Sequence, residues 1–205
     1  MFCENYDSLV CALEKRGFTV HTASNRDEAL TIVLDIVGDS KVGFGGSVTA
    51  KELGLKEALD NRGNITNTHN GITDKAEAEM QRRLAKEADY YICSANALTV
   101  DGKIINIDGM GNRVAAMIYG PKNVISIIGK NKLVENIDAG IERIHTVACP
   151  KNAERLNRNT PCRTSGKCED CDAPLRMCNV ISILEHKTSG VASFHVVLVD
   201  DELGY

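Results

Sequence analysis

Apolar residues first recur at helical spacing between Asp7 and Arg16, where Leu9, Val10 and Leu13 share one face and Gly17 ends the run. The next apolar stretch, FTVHTA, reads as a short strand. Ser24-Asn25-Arg26-Asp27 then offers an N-cap with an acid three positions on, and a helix continues to about Val37. KVGFGG (Lys41 to Gly46) reads as a buried strand ending in a glycine turn. Ser47 and Thr49 open the following helix, with Thr49 and Glu52 matching a capping box. Asn64 to Thr68 reads as a strand, Lys75 to Ala88 as a helix and Tyr90 to Asn96 as a strand again.

The rhythm changes at ALTVDGKIINID, two short β runs joined by Asp101-Gly102, which is a hairpin signal. GMGNRVAAMIYG follows as a glycine turn into a short helix. Asn123 to Gly129 (NVISIIG) is apolar enough for a central strand, and Asn131 to Thr146 is the expected helix after it. FHVVLVDDELG supplies the last strand. Repeated β-α units with near-continuous apolar strands imply an α/β fold: an open, mostly parallel sheet with helices on both faces. A small β-hairpin insertion and a cysteine-rich C-terminal segment (residues 160–179) complete it, and residues 1–205 are expected to form one domain.

Charge and composition narrow the function classes. A net charge of −4 leaves no electrostatic footprint for nucleic acid or an anionic membrane surface. No apolar run is long enough to span a bilayer, and MFCENYDSLV lacks the basic and apolar regions of a secretory signal. The expected compartment is therefore the cytoplasm, where the eight cysteines would be reduced and would serve a metal or catalysis rather than a disulfide framework.

Three stretches carry candidate chemistry. In GFGGSVT, Gly45 and Gly46 let backbone approach a ligand, and Ser47 and Thr49 can donate to an anion; a tight, well-capped β-α turn would look the same. In SANALTVDGKIINIDGMGNRVAAM, the candidates are Asn96 at a strand end and Asp108, Asn112 and Arg113 around two glycines. Arg113 could hold a carboxylate or phosphate bidentately, or it could pair with Asp108 and pin two turns. The third is TPCRTSGKCEDCDAPLRMCN, where Cys162, Cys168, Cys171 and Cys178 have the spacing C-x5-C-x2-C-x6-C. Four thiols suit an iron–sulfur cluster, [4Fe–4S], ahead of zinc, with unmetallated thiols or a redox pair as the remaining option. Arg163, Lys167 and Arg176 would offset thiolate charge. Cys3, Cys11, Cys93 and Cys149 have no metal spacing, and Cys93 reads as a core residue. His69 follows a strand in a turn and could touch a ligand, whereas His21, His145, His186 and His195 read as structural. No serine–histidine–acid pattern or HExxH motif supports hydrolase chemistry.

GGSVTAKELG, the block SANALTVDGKIINIDGMGNRVAAMIYGPKNVISIIGKNK, NAERLNRNTPC with the trailing cysteines, and the closing ELGY together resemble the LUD-domain family of lactate-utilization proteins. That resemblance spans nearly the whole chain. It implies a fold like that of ribose-5-phosphate isomerase and the CoA transferases, whose glycine turns hold phosphate or CoA-type anions. By position that role falls on Gly45, Gly46, Ser47, Thr49, Asn96, Asp108, Asn112 and Arg113. The family includes subunits of an iron–sulfur L-lactate oxidation system, so the resemblance implies a redox component or accessory subunit of 2-hydroxy-acid oxidation. The expected partners are a small carboxylate or phosphate-type ligand, iron–sulfur subunits, and a second copy of the chain. The alternative is a non-redox binding or regulatory module for a phosphate- or CoA-like ligand, with structural zinc on the cysteines. Whether the chain is itself an enzyme, for instance an oxidoreductase subunit, is left open by the residues.

Overall fold

A computed structural model describes residues 3–205, with side chains from Tyr6 onward. In chain order the elements are α1 (Cys3–Lys15), β1 (Thr19–Ala23), α2 (Arg26–Val37), β2 (Val42–Phe44), α3 (Val48–Glu52), α4 (Leu55–Arg62), β3 (Thr66–Asn67) and α5 (Lys75–Glu87). Then come β4 (Tyr90–Cys93), β5 (Ala97–Thr99), β6 (Ile104–Asp108), α6 (Asn112–Ile118), β7 (Asn123–Gly129), β8 (Leu133–Val134) and α7 (Ile137–Arg143). The chain ends with α8 (Cys149–Arg155), α9 (Pro161–Ser165), β9 (Val180–Leu184) and β10 (Ser193–Val199).

Six strands form a sheet in the order β1-β10-β7-β4-β2-β3, and every pairing in it is parallel. The strand alternation explains the two layers of helices. On β7 and β10, Val124, Ile128, Val196 and Leu198 pack with Leu9 and Leu13 of α1 and Ala116 and Met117 of α6. Ile125, Ile127, Val197 and Val199 point the other way, onto Ala29, Val33 and Val37 of α2 and Leu55 and Leu59 of α4. Strands buried on both faces have no polar side to show, which is why NVISIIG and FHVVLV read as near-continuous apolar runs.

The expected hairpin is more than an insertion. β5 and β6 pair antiparallel, and β8 and β9 add to them to make a four-stranded sheet in the order β8-β5-β6-β9. β9 has no counterpart in the sequence reading. It is an edge strand whose Val180, Ile181 and Ile183 are exposed, so it lacks the inward–outward alternation that identifies a half-buried strand.

Local starts also differ from the expectation. Asn25, not Ser24, caps α2 by accepting from the amides of Asp27 and Glu28, while Ser24 donates to the Glu28 carboxylate. Ser47 caps α3 by accepting from the amide of Ala50, so no Thr49–Glu52 box forms; Glu52 instead accepts from the amide of Gly204 at 2.7 Å. The helix expected from Asn131 begins only at Ile137, because Lys130–Lys132 forms a 3₁₀ turn and Asn136 supplies the cap. It also runs past Thr146, through a π-helical segment (Ile144–Ala148) into α8, which contains Pro150. Proline lacks an amide hydrogen, and the widened turn absorbs it without ending the helix.

β2 passes so close to α5 that a Cβ on Gly43 would lie 2.1 Å from the Ala85 carbonyl oxygen. A Cβ on Gly140 would clash with the flexible tip of the Ile105 side chain and otherwise touch only the side chains of Ala97 and Val134, at 3.4 and 3.5 Å. Gly43→Ala should therefore cost about 3 kcal/mol or more by forcing backbone apart, and Gly140→Ala clearly less, as measured by urea denaturation. Equal costs would contradict the packing of α5 on β2.

Candidate functional site

Three connections converge beyond the carboxyl ends of β2, β4 and β6: the Gly45–Ser47 turn, Ser94–Asn96 and the Asp108–Gly111 turn. β2 and β4 belong to the parallel sheet, and this is the end of such a sheet at which ligands bind. At Gly45 a Cβ would lie 2.9 Å from the Tyr91 hydroxyl and 3.5 Å from Cγ of Arg113, so the turn presses directly on both residues. Gly46 is exposed and faces Asn70 and His69; a Cβ there would sit 3.9 Å from His69 Nε2. His69 is half-buried, and burial followed by the charges of Arg82 and Arg155 lowers its pKa, favouring the neutral ring. Asn112 opens α6 near the Tyr91 hydroxyl, whose ionisation burial suppresses.

Arg113 is nearly buried, and its guanidinium is engaged by the protein itself. Nε and Nη2 donate to Asp108 Oδ1, Nη2 also reaches Asn96 Oδ1 and the Ile107 carbonyl, and Nη1 donates to the Ser94 carbonyl. Asp108 accepts in addition from the amide of Val114 at 2.9 Å. Asn96, Asp108 and Arg113 thus form one network joining β4, β6 and α6, with at most one Nη1 hydrogen left for a ligand. Of the two roles open for Arg113, the geometry realises the pinning of two turns.

Thr49 is buried for a different partner, one not singled out by sequence. Lys132 is 2% exposed, and its amine donates to Thr49 Oγ1 at 2.9 Å and Ser94 Oγ at 2.8 Å. Among the described residues no carboxylate lies within ion-pair distance of it. Burial, then the charges of Arg143 and Arg113, push the amine down to about 7, opposed by Glu52 and Cys93. The available signal was a lysine placed three residues after the most apolar strand, where a solvated side chain is the usual outcome. Elsewhere on the surface, an open hollow of about 750 Å³ lined by residues such as Cys11, Arg16, Asp101 and His186 contains none of the candidates.

Cys162, Cys168, Cys171 and Cys178 are free thiols and half-buried. Cys162 lies on α9 behind the buried Thr160, whose hydroxyl is 3.3 Å from its sulfur. The segment is stitched to the body at several points. The Cys168 amide donates to the His145 carbonyl, and the Asn179 amide to the Asp108 carbonyl, both at 3.0 Å. Asn179 Nδ2 reaches the Gly109 carbonyl, and Asn152 Nδ2 approaches Met177 Sδ. The cysteine stretch therefore closes on the same Asp108–Gly109 turn that Arg113 holds. Cys178 packs beside the buried Cys149, whose thiol is pushed up to about 12 by burial and by Cys178, Cys162 and Cys168. Arg176 donates to the carbonyls of Cys171 and Cys178. Thiolate donors suit an iron–sulfur cluster or zinc, yet among the described residues no three Cys, His, Asp or Glu side chains converge tightly enough to hold a metal ion. Binding one would require the thiols of this stretch to turn toward one another.

The fold and these turns define an α/β protein whose candidate site lies at the carboxyl edge of a parallel sheet, with a cysteine segment folded over it. The chain belongs to the LUD-domain family: the family's sequence profile, LUD domain, matches residues 6–199. The family ties the chain to a lactate-utilization-related role. A crystal structure of a DUF162 family protein from Deinococcus radiodurans has the same fold, with a TM-score of 0.55 and 14% identity over 96% of this chain and 97% of that one. No functionally curated protein matches the chain. Among the described residues no helix is long and apolar enough to cross a membrane.

The state of Lys132 has a measurable consequence. A lysine whose folded pKa is depressed loses a proton that the unfolded chain retains, so it adds stability as pH rises between about 7 and its ordinary 10.5. Within that window the wild type should gain up to about 1.4 kcal/mol per pH unit from this group, and Lys132→Met should lack the gain. Urea denaturation at two pH values inside the window measures the difference between the slopes. Parallel slopes would mean the amine is charged in the folded state.

Proposed function

We propose that the chain is a redox component or accessory subunit of L-lactate or related 2-hydroxy-acid oxidation. In this reading Cys162, Cys168, Cys171 and Cys178 hold a [4Fe–4S] cluster, and a small carboxylate sits at the strand ends around Gly46, Ser47 and Asn112. The observation that carries it is the closure of the cysteine segment on the Asp108–Gly109 turn through Asn179. A cluster on that segment would lie against the strand-end turns rather than on a remote appendage. When bound, it would supply one-electron transfer. The residues around it have separate tasks: Arg176 fixes the backbone between two of the thiols, and Arg113 with Asp108 holds the turn beneath them rigid. Partner iron–sulfur subunits would receive the electrons, in a cytoplasm that keeps the thiols reduced.

Anaerobically purified protein should be brown, contain about four iron and four acid-labile sulfide per chain, and bleach with dithionite. Cys168→Ser or Cys171→Ser should lose most of the iron, while Cys11→Ser, an exposed thiol on α1, should retain it. Colourless protein with one zinc per chain would replace this reading with the non-redox binding module.

A further inference from the structure

We propose that Lys132 is a nucleophile that forms an imine with the carbonyl carbon of a small 2-oxo acid. The carbonyl class follows from the amine and its partners; the choice of a 2-oxo acid rests on the redox reading above, because dehydrogenation of a 2-hydroxy acid yields one.

The amine sits where such chemistry is favoured. It follows β7, the buried central strand, and reaches back across the carboxyl ends of the sheet to Ser94 after β4 and Thr49 in α3. Its two partners are neutral hydroxyls with carbonyl acceptors of their own, Ser94 with the Ile127 carbonyl at 2.6 Å and Thr49 with the Leu203 carbonyl at 3.3 Å. They therefore accept from the nitrogen and do not tie it up as a carboxylate would. The charged and titratable groups acting on it are Arg143 of α7, Arg113 of α6, Glu52 of α3 and Cys93 of β4. Desolvation beside other cations is how proteins keep a lysine neutral and nucleophilic. Arg143 is bonded only through Nε and Nη1, to the carbonyls of Asn131 and Asn96, so among the described residues Nη2 is available to a substrate carboxylate.

The bond changes balance without a redox partner. Nitrogen attacks the carbonyl carbon, one N–H proton moves to the carbonyl oxygen, and loss of one water leaves C=N in place of C=O. Ser94 and Thr49, within hydrogen-bond distance of the nitrogen, can carry the protons.

Access is controlled by the 203–205 segment, which covers the amine. A Cβ on Gly204 would lie 3.4 Å from Nζ and 2.6 Å from Thr49 Oγ1. The segment is held by Glu52 on the Gly204 amide, by Asn131 on Leu203 and Gly204, and by Arg155 and Asn152 on the Tyr205 hydroxyl. It must lift for a substrate to enter.

The test treats the full-length wild-type protein with pyruvate and sodium borohydride, which reduces an imine to a stable secondary amine, and maps the adduct by peptide mass spectrometry. One saturable adduct on Lys132 is expected, with exposed Lys51, Lys56 and Lys151 labelled only in proportion to reagent. Ser94→Ala should slow labelling by about tenfold or more, and Gly204→Ala, which displaces the cover, should speed it. No adduct on Lys132, or label spread evenly over the exposed lysines, overturns the proposal. Iron content measured on the same sample separates the two ideas: iron without an adduct rejects the imine alone, and an adduct on colourless protein rejects the cluster alone.

Discussion

The buried guanidinium of Arg113 is the constraint on which the strand-end region depends. Guanidinium cannot shed its charge on burial, so its surroundings must supply acceptors in fixed positions. They come from four places along the chain: the Ser94 carbonyl after β4, Asn96, the Ile107 carbonyl in β6, and Asp108. Asp108 also receives the Val114 amide, which fixes the first turn of α6. Breaking a buried pair of this kind by removing one partner costs about 3–5 kcal/mol, because the other charge is left uncompensated. The parallel sheet and the smaller mixed sheet are joined through this network, since β4 belongs to one and β6 to the other.

The cysteine segment inherits its position from the same network. Its last residue, Asn179, bonds the backbone of Asp108 and Gly109, and β9 then continues along β6. The end of the cysteine segment and the strand-end site thus share the Asp108–Gly109 turn. Arg113 is close enough for its charge to act on Cys149, on Lys132 and on Cys93. One guanidinium, fixed in place by its acceptors, thus acts on both sides.

What the sequence made legible was whatever local rules govern. The central strands declared themselves because burial on both faces leaves an unbroken apolar run, and Asp101-Gly102 declared the hairpin because Gly102 must adopt a φ of +87°. Asn96, Asp108 and Arg113 stood out as a constellation and do meet. What was hidden depends on distant partners. Lys132 looks like any surface lysine until Thr49 and Ser94 arrive from far earlier in the chain. β9 has no pattern of its own because β6 alone makes it a strand. The helix expected to stop at Thr146 continues because the π segment accommodates Pro150, with the Cys168 amide on the His145 carbonyl, a partner from further along the chain. Ser47 outcompeted Thr49 as a cap because the Thr49 hydroxyl is committed to the interior.

That bond at His145 also bears on the entropy of the cysteine loop. The loop leaves α8 and returns as β9, so its ends are fixed by the fold, and the tie at Cys168 divides what lies between. A free loop of this length would have to surrender the conformational freedom of every residue to gather its thiols. Here part of that loss is already met during folding, through the ties at Cys168, Arg176 and Asn179. A group gathered by these thiols would then meet a smaller entropic cost than on an untied loop, although the sulfur atoms themselves would still have to turn inward.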